Sequence, residues 1–182
     1  MNKIRSSLRR LASLRTLVTV ACLTGLQVAL KLVISIQMTQ TVRISLDYLV
    51  HVAVSAMFGP AAGVLSGAAA DLLGWLVHPT GPFNPGFTLS AMVNGLIYGL
   101  VLYERPFSWK RTLLAQALVV LITNLCLNTL WLQLYYGKAF FAILPLRALK
   151  NLIQYPIDAA MMCVLLSQLP RLARFVRPHT AK

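Results

Sequence analysis

A succession of apolar runs, each ended by charge or by glycine and proline, restricts this chain more than any other feature. Six can be read, at roughly 14–36, 46–58, 60–77, 88–103, 111–136 and 145–169. Backbone groups in lipid must bond within their own segment, so such runs become helices, and crossing a bilayer core takes about 20 residues. The second and third runs together offer only about 32 residues, where two full spans need roughly 40. They read either as one broken helix or as a short helix followed by a longer one.

Charge decides between the two. The chain has 17 Lys and Arg against four acids, Asp47, Asp71, Glu104 and Asp158. With six spans, Lys3, Arg5, Arg9, Arg10, Arg15, Arg105, Lys110, Arg111, Arg171, Arg174, Arg177 and Lys182 fall on one side. Only Lys31, Arg43, Lys138, Arg147 and Lys150 fall on the other. The first side is then cytoplasmic by the positive-inside rule. Five spans would put the basic tail RLARFVRPHTAK outside. The expectation is an all-α integral membrane protein: a six-transmembrane-helix bundle with both termini cytoplasmic and a short second helix turning at Gly59-Pro60. Residues 1–182 form a single membrane domain, with a basic cytoplasmic N-terminus at 1–13, six transmembrane helices over 14–169 and a basic cytoplasmic tail at 170–182. The first apolar run lacks an A-x-A-like cleavage site, so it reads as a retained span and not a signal peptide.

Several functions are argued against. A formal charge of +13 would suit nucleic acid, but the cations sit at chain ends and between apolar runs, and no basic helix interleaved with aromatics exists. Cys22, Cys126 and Cys163 are scattered singly, without metal-ligand spacing. His51 and His78 lack ligand-like companions, so no metal or cofactor is expected. No G-x-x-x-x-G-K-[ST] loop occurs, and no Ser/His/Asp or Cys/His grouping has a recognisable spacing. The chain is therefore not read as an enzyme, and any ATP hydrolysis belongs to another subunit.

The polar residues inside the apolar runs are expensive there and ask for a role. In LRALKNLIQYPIDAAMM, Arg147, Lys150, Asn151, Gln154 and Asp158 follow an i, i+3, i+4, i+7, i+11 pattern, which places them on one face of the sixth helix. Asn124, Asn128, Trp131 and Tyr135 make a comparable face on the fifth, and Asn94 with Tyr98 on the fourth. Converging, these stripes would line a cavity toward the outer side. Arg147 and Lys150 sit near a helix end and have snorkelling as an alternative role. Outer cations run against the membrane bias, and capture of an anionic ligand would account for them. Arg43, ahead of the second helix on the same side, could clamp a carboxylate bidentately. Small residues recur at helical spacing at Ala21, Gly25 and Ala29, and again at Gly63, Gly67 and Gly74 on the face that carries Asp71. Such faces allow close helix approach, within the bundle or with a partner. Asp71 reads either as the partner of an interior cation or as an acceptor for a donor-rich ligand.

RISLDYL, MFGPAAGVLSGAAADLLGWLVHPTGPFNPGFTLSAMVNGLIYGLVLY and NTLWLQLYYGKAFFAILPLRALKNLIQYPI resemble the folate-specific S components of energy-coupling factor (ECF) vitamin transporters, over roughly residues 14–168. The most specific pieces are G-P-x-x-G-x-x-x-G-x-x-x-D ending at Asp71, P-G-F-T-L-S-A, and R-x-x-K-N at 147–151. The resemblance implies an S-component-type bundle in the bacterial cell membrane that captures folate, or a reduced folate, from outside. It implies partnership with a membrane coupling protein and two cytosolic ATPases, and docking through Ala21, Gly25 and Ala29, which departs from the family's usual pair of alanines by having Gly25 in the middle. Folate is a dianion at its glutamate end, suited to Arg43, Arg147 and Lys150. Its pterin carries donors that pair with a carboxylate or amide, for which Asp71, Asn94 and Asn151 are candidates, with Gln154 beside them. Phe87, Trp131 and Tyr155 are candidate walls for the flat rings. Another vitamin or a queuosine precursor is the alternative cargo, and a non-transport membrane scaffold the alternative class.

Overall fold

The structure, a computed structural model, describes residues 2–33, 36–39, 42–44, 46–79, 83–136 and 140–176. Helix α1 (Asn2–Leu11) is followed by α2 (Leu14–Val33), the strands β1 (Ile36–Thr39) and β2 (Val42–Ile44), then α3 (Asp47–Phe58), α4 (Pro60–Val77) and α5 (Pro85–Leu102). A long helix in three parts comes next: α6 (Trp109–Leu118), a π-helical segment (Val119–Leu127) and α7 (Asn128–Tyr136). Helix α8 (Phe140–Val176) ends the described chain. Five stretches are long and apolar enough to cross a bilayer, and α3 is the short apolar helix expected between the first and third.

Local chemistry sets the boundaries. The run expected to remain helical to about Ile36 stops at Val33, and the chain turns into an antiparallel hairpin with Ile36 opposite Ile44 and Gln37 opposite Arg43. The β-branched content of this stretch favours strand over helix. Helices α3 and α4 are separate and pack on each other, joined by Gly59 at φ 93° with Pro60 as the first residue of α4. That positive φ suits glycine, and Pro60 supplies the helical φ of the next turn. Helix α5 also opens on a proline, and Asn84 caps it by accepting a 2.8 Å bond from the Gly86 N–H. In the π segment the Asn128 N–H bonds the Thr123 carbonyl five residues back. Such widened turns occur frequently at functional sites, and apolar periodicity gave no sign of this one.

Helix α4 packs most extensively on α5. Backbone meets backbone there: a Cβ added at Gly67 would lie 2.6 Å from the Ala91 carbonyl oxygen, and one at Gly99 2.6 Å from the Pro60 nitrogen. The Gly63–Gly67 face therefore serves this bundle's own packing. Two solid cores occupy the half of the bundle away from the hairpin. One joins Val52, Tyr98, Leu102, Met162 and Leu166; the other joins Leu11, Val20, Val54, Phe58 and Ala62. Aliphatic side chains on the outer faces, Leu65, Leu121, Leu152 and Val164 among them, stay exposed, as a lipid-facing surface requires.

Candidate ligand-binding site

The half of the bundle nearer the hairpin is hollow. A cavity of about 500 Å³ lies among α2 to α8, within the size range of small-molecule sites. It runs from the loop end, at His78, Phe83 and Asn84, to mid-bundle residues Tyr98, Gln116 and Val119.

Its floor is a connected polar group. The Tyr98 hydroxyl donates to Gln116 Oε1 at 2.8 Å, and Gln116 Nε2 donates to Asp158 Oδ2 at 3.4 Å. Tyr48 donates to the Asp158 backbone carbonyl at 3.3 Å. In the wall above, Asn128 Nδ2 donates to Asn124 Oδ1 and Asn124 Nδ2 to Asn151 Oδ1, both at 3.4 Å. Nearer the mouth, Lys31 Nζ meets Asp71 Oδ1 at 3.2 Å, and Thr88 donates to Asp71 Oδ2 at 2.8 Å. The lysine reaches across because residue 74 is glycine: a Cβ there would lie 3.1 Å from Lys31 Cδ and Nζ. Asp71 is thus an interior ion-pair partner that also lines the cavity, and both of its oxygens are engaged.

Five of the lining residues carry a buried polar atom without a hydrogen-bond partner among the described residues: Gln27 Oε1, His51 Nε2, Asn84 Nδ2, Asn94 Oδ1 and Asn128 Oδ1. Unmade hydrogen bonds are rare in folded chains. Their concentration around one cavity marks a place that expects polar company.

The three polar stripes read from sequence meet here. Asn94 and Tyr98 come from α5, Asn124 and Asn128 from the long helix, and Lys150, Asn151, Gln154 and Asp158 from α8. Asp71 and Phe87 line the same space. Trp131 is not among the lining residues; its Nε1 donates to Ser90 at 3.2 Å and its ring lies against Gly86, so it backs the wall. Tyr155 is turned away, its hydroxyl donating to the Leu113 carbonyl at 3.0 Å. One residue beyond Gln154, it has rotated about 100° from that side chain. Arg43 lies in β2 and Arg147 in α8, but their side chains, with that of Tyr135, fall outside the described residues. Gln27, Lys31, Tyr48, His51 and Gln116 also line the cavity and were not singled out as binding residues. For Gln27 and Lys31 a signal existed: two polar side chains four residues apart in an otherwise apolar helix end. Among the described residues no group of His, Cys, Asp and Glu could hold a metal ion.

On α2, Ala21, Gly25 and Ala29 are all exposed, and a Cβ added at Gly25 would meet nothing within 4 Å. The bundle leaves that small-residue face uncovered, in contrast to the glycine face of α4.

A family model described as ECF transporter, substrate-specific component, matches residues 15–166. The chain belongs to this family. Among curated relatives of this S component, a folate transporter FolT from Clostridium novyi is 37% identical over 143 residues, covering 79% of this chain and 83% of the relative. A FolT from Streptococcus mutans is 31% identical over 163 residues, covering 86% and 87%. A solved structure, described as FolT bound with folic acid, superposes with a TM-score of 0.80 at 30% identity, over 86% of this chain and 95% of that one.

Proposed function

We propose that this S component captures folate, or a reduced folate, in the cavity between α2 and α8, and delivers it across a bacterial cytoplasmic membrane as part of an ECF transporter. The observation that carries this reading is the convergence of polar stripes from three helices on one cavity, in a chain that superposes with FolT bound with folic acid.

The arrangement along α8 gives the ligand a direction. From Arg147 to Asp158 is 11 residues, a rise of about 16 Å. Cationic positions lie toward the hairpin end, and the carboxylate of Asp158 lies in the floor with Gln116. The dianionic glutamate tail is therefore assigned to Lys150 and Arg147, with Arg43 near the mouth. The pterin, with its amino and ring N–H donors, is assigned to Asp158, Gln116 and Asn94, because a carboxylate and amides accept such donors in a directed way. Asp71, already bonded to Lys31 and Thr88, has a positioning role beside Phe87, which supplies an aromatic wall.

In this reading six helices span the membrane, with both termini cytoplasmic and the cavity open to the outside. The chain itself catalyses nothing. The uncovered Ala21, Gly25 and Ala29 face docks the membrane coupling protein, and two cytosolic ATPases supply the energy. Purification from native membranes, followed by mass spectrometry of bound small molecules and proteins, tests the assignment. Folate with a coupling protein and ATPases is the expected result; a different vitamin, or no small molecule and no ATPase, would overturn it.

A further inference from the structure

No described residue of the first helix lines the cavity, yet the helix is not an idle tail. One side of α1 is fastened to the bundle. Ser7 is fully buried; its hydroxyl donates to the Phe58 carbonyl at 2.7 Å and accepts from the Ala61 N–H at 3.2 Å. It thereby satisfies the last carbonyl of α3 and an early N–H of α4, groups that helix ends leave unpaired. Leu11, one turn on, enters the core with Val20, Val54 and Phe58. Ser7 and Leu11 fix α1 across the end of the bundle opposite the hairpin.

The next strip around the helix is apolar and uncovered. Ile4 is 41% and Leu8 54% exposed, four residues apart, and Leu14, Leu17 and Val18 at the start of α2 are exposed as well. Arg5 is exposed beside them, and Lys3, Arg9, Arg10 and Arg15 complete five cations with no acid before Asp47. A helix that presents aliphatic residues beside Arg5 in a cation-rich segment, held at the rim of a membrane bundle, matches the layering of an interface: acyl chains on one side, headgroups on the other. Charge complementarity selects acidic headgroups, since each Lys or Arg near an anionic surface gains about fivefold in partitioning.

We propose that α1 is an interfacial helix that binds anionic phospholipid headgroups through Arg5 and its neighbouring cations, with Ile4 and Leu8 seated at the acyl boundary and Ser7 locking it to the α3–α4 turn. This does not depend on which ligand fills the cavity.

The test uses the full-length protein in nanodiscs of phosphatidylcholine, alone or with phosphatidylglycerol. Native mass spectrometry of the released protein should show phosphatidylglycerol retained preferentially. Arg5→Gln with Arg9→Gln should cut that preference at least fivefold and leave ligand binding at the opposite end intact. Unchanged preference overturns the proposal. So does an unchanged lipid preference accompanied by loss of a co-purifying protein, because the surface would then serve that protein. An independent readout is a spin label at Leu8→Cys, in a chain whose native cysteines are replaced by Ala. Higher accessibility to oxygen than to a water-soluble relaxant is expected, and the reverse order overturns the proposal.

Discussion

Breaking the Lys31–Asp71 pair should weaken the bundle in a way that a double-mutant cycle can isolate. At 3.2 Å and an effective dielectric of about 20, the attraction is about 5 kcal/mol. Both groups lost hydration to meet, and each side chain keeps about one-fifth of its surface exposed (19% and 21%). The net coupling is therefore smaller, about 1–3 kcal/mol. Lys31→Met leaves a half-buried carboxylate with Thr88; Asp71→Asn keeps the shape and the Thr88 contact but leaves the ammonium without this carboxylate. Each single change is expected to lower the melting temperature in detergent by roughly 3–10 °C for a chain of this length. The double variant removes both charges together and should melt well above the sum of the two losses. Tryptophan fluorescence or light scattering against temperature reads all four proteins. If the losses add to within about 0.5 kcal/mol, the two groups do not act as a pair, and Asp71 is not held by Lys31.

Three more outcomes follow from the same geometry. Lys150→Ala should weaken folate about tenfold or more and leave pteroate, which lacks the glutamate, unaffected; Asp158→Asn should weaken both, as loss of a charged hydrogen-bond partner costs about 1.5–3 kcal/mol. Calorimetry with the two ligands distinguishes these patterns, and equal losses for Lys150→Ala would reverse the assigned direction. Gly67→Val forces a side chain against the Ala91 carbonyl, 2.6 Å from the first added carbon, and should lower the melting temperature by more than about 5 °C. A Cβ added at Gly25 meets nothing within 4 Å, so Gly25→Leu should leave melting and folate binding unchanged while reducing recovery of the coupling protein in pull-downs; undiminished recovery would remove that face from the docking surface.

Much of this arrangement is legible in the residue spacing, and the gaps have physical causes. The stripe of Lys150, Asn151, Gln154 and Asp158 is readable because a polar face in an apolar helix has one period and few alternatives. The break at Gly59-Pro60 is equally local, as is the short helix before it. The partner of Asp71 is not local: Lys31 lies 40 positions away, and the spacing of residues within one helix carries no information about a cation on another. Tyr155 stands next to Gln154 in sequence and at the margin of the same stripe, so periodicity alone could not tell the cavity from the contact with Leu113. The N-terminal helix was hidden by its charges, which read as a basic cytoplasmic N-terminus, while the residue that anchors it is an ordinary serine. The π segment left no trace in hydrophobicity because five-back bonding changes the turn without changing composition.

Titration of the purified protein with folic acid, followed through the fluorescence of Trp75 in the cavity wall, bears most directly on the central claim. Saturable binding of one molecule per chain with a Kd well below micromolar, displaced by pteroate but not by an unrelated vitamin, is the predicted result. Binding no tighter than micromolar, more than about 4 kcal/mol short of a nanomolar site, or equal affinity for an unrelated vitamin, would contradict it.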